Sequence, residues 1–109
     1  MKKINFEDSS LSLSCYIGGL LRTIRCESGL SGHELAKSIN ISQQQVSRYE
    51  RGETNFQLDM LFRFFSALEM KEHEIQYILY QIINKAADIP QYNIRRNVST
   101  DTDISLSDY

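Results

Sequence analysis

The chain has 109 residues, 41% hydrophobic and 24% charged, with one proline, five glycines, two cysteines and a net charge of −2. This is the size of one domain with short tails and one modest core, and the composition is that of an ordinary globular protein, not a disordered, collagen-like or disulfide-rich one. No run approaches the ~18 consecutive apolar residues of a transmembrane helix, and no apolar run follows the basic start Met1-Lys2-Lys3, so a cytoplasmic chain without a secretory signal is expected.

Residues 1–10 are polar and unpatterned and read as an N-terminal tail. Ser12 or Ser14 is placed to cap a first helix, in which Ile17, Leu20, Leu21 and Ile24 repeat at i, i+3, i+4, i+7. Gly29 ends it, because glycine takes the left-handed conformation of a helix C-terminus without steric cost. Ser31 opens a second helix, and Glu34, three residues on, completes a capping box. Leu35, Ala36 and Ile39 are its inward positions, and Asn40 suits a left-handed turn. Ser42 caps a third helix over 43–50, with Gln45 in place for a second capping box and Val46 and Tyr49 inward. Thr54-Asn55 starts a fourth helix, with Leu58, Leu61, Phe62, Phe65 and Leu68 as its apolar stripe. Lys71-Glu72 starts a fifth, with Ile75, Ile78, Leu79, Ile82, Ile83 and Ala86 on one face. No segment alternates with period 2, so the expected fold is all-α. Beyond Ala87 the composition turns polar, and 88–109 reads as a flexible C-terminal tail.

Charge is unevenly distributed. Residues 11–52 carry five bases (Arg22, Arg25, Lys37, Arg48, Arg51) against three acids (Glu27, Glu34, Glu50), whereas both later segments are net acidic. Cys15 and Cys26 are eleven residues apart, and on one helix that is roughly 16 Å, beyond the reach of a disulfide. Cys26 reads as a small packing residue. His33 and His73 have no cysteine or acid at metal-ligand spacing. With no P-loop, dinucleotide fingerprint or nucleophile–base arrangement either, no metal, cofactor or enzymatic activity is expected.

The informative stretch is 32–52. Two short helices are joined across Asn40, with small Ala36 where they cross, which is the layout of a helix-turn-helix unit. The second helix of such a unit enters the major groove N-terminus first. Gln43 and Gln44 would then face base edges, with Ser47 and Arg48 one turn on. Glutamine can pair bidentately with adenine, and Arg48 can pair with guanine or hold a phosphate. Arg22, Lys37, Ser42 and Arg51 are the candidate backbone contacts. With so few cations, the affinity should depend weakly on salt.

Residues 16–70 resemble the phage repressor/Cro (XRE-type) DNA-binding domain. The resemblance rests on Ile17-Gly18, Leu21-Arg22 and Ile24-Arg25, on Gly29-Leu30-Ser31 and Glu34-Leu35-Ala36, and on the run Ser42-Gln43-Gln44-Gln45-Val46-Ser47-Arg48-Tyr49-Glu50-Arg51-Gly52. Asn40 stands where that family often has glycine, and Gly32-His33 where polar residues such as glutamine are usual. The resemblance implies a five-helix repressor-like bundle and a structural ion pair between Arg25 and Glu50. More narrowly, the run from Ser42 and the polar tail resemble small regulators encoded with fimbrial operons, in which fimbrial expression and flagellar motility are reciprocally controlled. The domain is then 11–87, with the fifth helix used for dimerisation.

Tyr77 and Tyr80 lie off the inward stripe of the fifth helix, and Phe64 off that of the fourth. This apolar surplus reads either as a wide buried face or as a subunit interface. The interface is expected, built from Phe64, Tyr77, Tyr80 and Ile82, because a short domain of this kind reads two half-sites as a dimer. The expected protein is a repressor acting as a homodimer on double-stranded DNA, with no membrane partner and no evident small-molecule effector. The competing reading is an antitoxin-like module that neutralises a protein partner through its tail and represses its own operon.

Overall fold

The computed structural model describes residues 12–97. Five helices follow one another: α1 Leu13–Glu27, α2 Gly32–Ile39, α3 Gln43–Glu50, α4 Leu58–Ala67 and α5 Glu72–Ala87, then a short 3-10 turn at Pro90–Tyr92. The fold is all-α, with α2 and α3 forming a helix-turn-helix unit. The residues of the expected N-terminal tail and those beyond 97 lie outside the described ones.

Local chemistry sets the boundaries. Ser12 Oγ accepts from the Cys15 amide at 2.9 Å and starts α1. The Ser31–Glu34 box is reciprocal: Glu34 N donates to Ser31 Oγ at 3.0 Å and Ser31 N donates to Glu34 Oε1 at 2.8 Å. Hydrogen bonding from the Ser31 backbone amide, and secondarily from its hydroxyl, holds the Glu34 carboxyl below the usual carboxylate range. At α3 only half a box forms. Ser42 Oγ caps the Gln45 amide at 3.0 Å, but the Gln45 side chain turns away to accept from Arg48 Nη1 at 3.3 Å. The first four helices are followed by left-handed residues, Gly29 (φ 76°), Asn40 (φ 62°), Gly52 (φ 79°) and Glu69 (φ 56°). After each, the next amide reaches back into the last turn, as Leu30 N does to Arg25 O and Ile41 N to Ala36 O. Glu69 has neither the freedom of glycine nor the short amide of asparagine, so its left-handed backbone carries strain.

Leu21, Leu35, Val46, Phe64 and Phe65 form the innermost core, contributed by α1, α2, α3 and α4. Tyr49, Phe56 and Phe64 make a three-ring cluster with centroids 4.8 to 5.5 Å apart. Phe64 is therefore no interface residue: it is 0% exposed, and the stripe of α4 is rotated toward it. Leu58 and Phe62, expected to face inward, lie in solvent. The helix starts at Leu58, because Asn55 is held outside it, its Oδ1 accepting from Ser14 Oγ at 2.8 Å. On α5, Ile78 and Ala86 are buried and Ile83 is 58% exposed. Cys26 is exposed and does not pack, and both cysteines are free thiols. Ordered structure also runs past residue 88: Ile89 is buried, and Arg96 pairs with Asp88 and donates to Asn84 O at 3.3 Å.

One position fixes how closely α1 lies on α3. A Cβ added at Gly18 would sit 2.2 Å from the Tyr49 carbonyl oxygen and 2.8 Å from that of Glu50. Both are backbone atoms at the end of α3 and cannot swing aside. At Gly19, nothing lies within 4 Å. Alanine in place of helical glycine gains up to ~1 kcal/mol where there is room, and overpacking costs ~1–3 kcal/mol where there is none. Gly19→Ala should therefore raise the denaturation midpoint and Gly18→Ala should lower it. Equal midpoints for the two variants would show that the helices do not meet at Gly18.

Candidate nucleic-acid interface

The outward face of α3 follows from what α3 buries. Val46, Tyr49 and Glu50 point inward, and the opposite side presents Gln43, Gln44 and Arg48 exposed, with Ser47 partly covered. An α-helix turns about 100° per residue, so positions 43, 44, 47, 48 and 51 share one face. At the start of this face a cleft of about 390 Å³ opens between α2 and α3, lined by His33, Lys37, Asn40, Ser42 and Gln43.

α3 is anchored by charge as well as by packing. Glu50 is the one buried charged residue among those described. Arg25 grips it bidentately, Nε to Oε2 at 2.6 Å and Nη2 to Oε1 at 2.9 Å, while Nη1 donates to Leu30 O at 2.9 Å. Hydrogen bonding to Glu50 raises the Arg25 pKa above its ordinary value, against the opposing effect of burial. Arg63 Nη2 donates to Ile39 O at 2.6 Å, tying α4 to the end of α2. No group of three or more His, Cys, Asp or Glu side chains suited to a metal ion occurs among the described residues. No helix among them is long and apolar enough to cross a membrane.

A family profile described as helix-turn-helix matches residues 21–75, half of the chain. The chain belongs to the helix-turn-helix family of DNA-binding regulators. The clp gene regulator ClgR from Corynebacterium glutamicum is similar in structure, with a TM-score of 0.59 and 25% identity over 67% of this chain and 91% of that one. The restriction-modification controller protein C.Esp1396I, in its wild-type form, is similar at a TM-score of 0.57 and 22% identity, over 67% of this chain and 92% of that one. No curated protein sequence matches the chain.

In a helix-turn-helix regulator α3 is the recognition helix, and the expected contact residues can be placed around it. Gln43, Gln44, Ser47 and Arg48 lie together on its outward face. Lys37 is exposed near the end of α2. Arg22 is exposed on α1, its Nε 4.0 Å from Glu50 Oε1, on the fringe of the Arg25 pair. The Ser42 hydroxyl is occupied by its cap. Arg51 is at the C-terminal end of the face, already bound to Glu53 and Ser47. Tyr77 and Tyr80, 61% and 60% exposed, lie away on α5, and Ile82 is half-buried against the core.

Three residues here escape sequence reasoning: Gly18, Arg63 and Glu53. The first two act through contacts between distant segments, and Glu53 acts across a left-handed turn. An acid two residues beyond Arg51, across a glycine, is the one signal that could have marked Glu53.

Removing one partner of a buried pair leaves the other charged and desolvated, at a cost of about 3–5 kcal/mol. Glu50→Ala should therefore destabilise the fold by that order in chemical denaturation. A Glu50→Ala midpoint equal to wild type would show that α3 is positioned by packing alone.

Proposed function

We propose that the chain is a sequence-specific transcriptional repressor that reads DNA with α3 and acts as a homodimer through α5. The observation that carries the reading is the division of α3. Its inward side is fixed by Val46, Tyr49 and the Arg25–Glu50 pair, which leaves two adjacent glutamines and an arginine exposed on a rigid short helix. Glutamine offers a donor and an acceptor in fixed relation and so distinguishes bases, where a lysine would mainly add charge. Lys37, Arg22 and the α3 N-terminus at Ser42 are the proposed phosphate contacts, whereas Arg51, a candidate from the sequence, is held by Glu53 and Ser47. C.Esp1396I, which shares the fold, has been crystallised as a tetramer on its natural 35 base-pair operator. The homodimer reading is supported by Tyr77, Tyr80 and Ile83 on the outer side of α5. Tyr77 also lines an open groove of about 850 Å³, together with Ile24, Leu68, Met70 and His73. Control of fimbrial expression reciprocally with flagellar motility is proposed on the resemblance of the Ser42–Gly52 run, and genome-wide occupancy of the tagged chain tests it.

The central test is a titration at fixed salt against a duplex that the wild-type protein enriches from a random pool, and against a scrambled duplex. Gln44→Ala should cost about 1–3 kcal/mol on the enriched duplex and almost nothing on the scrambled one. Equal loss on both would remove the base-reading role from Gln44.

Dimerisation is tested by Tyr80→Glu, because Tyr80 is exposed and a charge there leaves the core intact. The variant should sediment as a monomer at concentrations where wild type is dimeric. A wild-type monomer at high concentration would defeat the homodimer reading.

A further inference from the structure

We propose that Glu53 is a specificity-determining residue that clamps Arg51 across the outward face of α3 and so sets the polarity with which Ser47 meets a base edge. The inference rests on the reading of α3 as the base-reading helix. Gly52, at φ 79°, turns the chain back on itself, and the Glu53 amide donates to Arg48 O at 2.9 Å. That turn brings the Glu53 carboxylate beside Arg51. Arg51 Nε donates to Oε2 at 2.9 Å and Nη2 to Oε1 at 3.1 Å, a fork on a carboxylate. The remaining terminal nitrogen, Nη1, donates to Ser47 Oγ. Ser47 and Arg51 are one turn apart on the face that carries Gln43, Gln44 and Arg48.

Two consequences follow from this geometry. A serine hydroxyl has one proton and two lone pairs. With a cation on one lone pair, Ser47 keeps its proton to donate, and the nearby positive charge favours an acceptor opposite it. In the major groove guanine, adenine and thymine offer acceptors, whereas cytosine offers the N4 amino donor. The clamped Ser47 therefore selects against cytosine. The second consequence concerns phosphates. Arg51 and Glu53 hold each other in their charged forms, the arginine pKa raised and the carboxyl lowered, chiefly by their hydrogen bonds. An arginine neutralised in this way contributes little to sequence-independent attraction. Without Glu53, the long side chain is free to leave Ser47 for the DNA backbone, which dominates non-specific affinity.

Wild type and Glu53→Gln are compared on the enriched and scrambled duplexes over a range of salt concentrations. Both residues are exposed, so the melting temperature serves as a control and should not change. Affinity for the scrambled duplex should rise severalfold, with a salt dependence steeper by about 0.9, one added phosphate contact. The ratio of enriched to scrambled affinity should fall about tenfold, the scale of one base contact. Ser47→Ala, which removes the oriented hydroxyl, should lower the same ratio. Equal gains on both duplexes would overturn the proposal, since Glu53 would then act only by repelling phosphates. No change on either, or a Ser47→Ala ratio equal to wild type, would overturn it as well. A wild-type protein that enriches no duplex fails earlier, at the reading of α3, and the proposal falls with it.

Discussion

Glu50 is buried at the end of α3, and an unpartnered carboxylate there would be too costly to keep ionised. Arg25 resolves this with two bonds to the carboxylate and a third to the Leu30 carbonyl. One guanidinium therefore joins α1, the α1–α2 turn and α3. Such a pair adds little net stability over a well-packed apolar alternative, because desolvation offsets most of the attraction. Its effect is geometric. A planar bidentate fork accepts one orientation of α3, and the absent side chain of Gly18 lets α1 come close enough to form it. The exposed face of α3 is defined by this constraint from behind.

The parts of the fold that could be read in the sequence are those whose cause is local. Ser31 and Glu34 are three residues apart and cap each other, and Gly29 and Asn40 end helices by their own backbone preferences. The helix-turn-helix unit is a run of such signals, so its outward residues could be named in advance. α4 shows where periodicity stops deciding. Leu58, Leu61, Phe62, Phe65 and Leu68 make an acceptable stripe, but so do Leu61, Phe64, Phe65 and Leu68. The choice between them is made by Tyr49 and Phe56, which lie on other segments and receive the Phe64 ring. The Arg25–Glu50 pair is visible only through family resemblance, since nothing in spacing brings residues 25 and 50 together. Ile89 looks like the start of a polar tail and is buried, because one apolar side chain after α5 suffices to fold the chain back.

The described arginines show a pattern that composition conceals. Arg25 is occupied by Glu50, Arg51 by Glu53, Arg96 by Asp88, and Arg63 by a backbone carbonyl. Arg48 shares its guanidinium with Gln45 at 3.3 Å, and Arg22 lies at the edge of the Glu50 pair. Lys37, Lys71 and Arg95 are left as exposed cations with no ion pair among the described residues. A count of bases overstates the charge that DNA would meet, because most of the described arginines already have acceptors in the protein. On the proposed reading, binding to arbitrary duplex, which depends on the number of phosphates neutralised, is therefore expected to be weak. Discrimination then falls, on the same reading, to groups that read hydrogen-bond patterns, the glutamines and Ser47, on a helix anchored from behind by Arg25 and Glu50. On that reading, the anchoring behind α3 and the economy of free charge in front of it work in the same direction: each would lower affinity for non-cognate DNA while leaving the proposed cognate contacts in place.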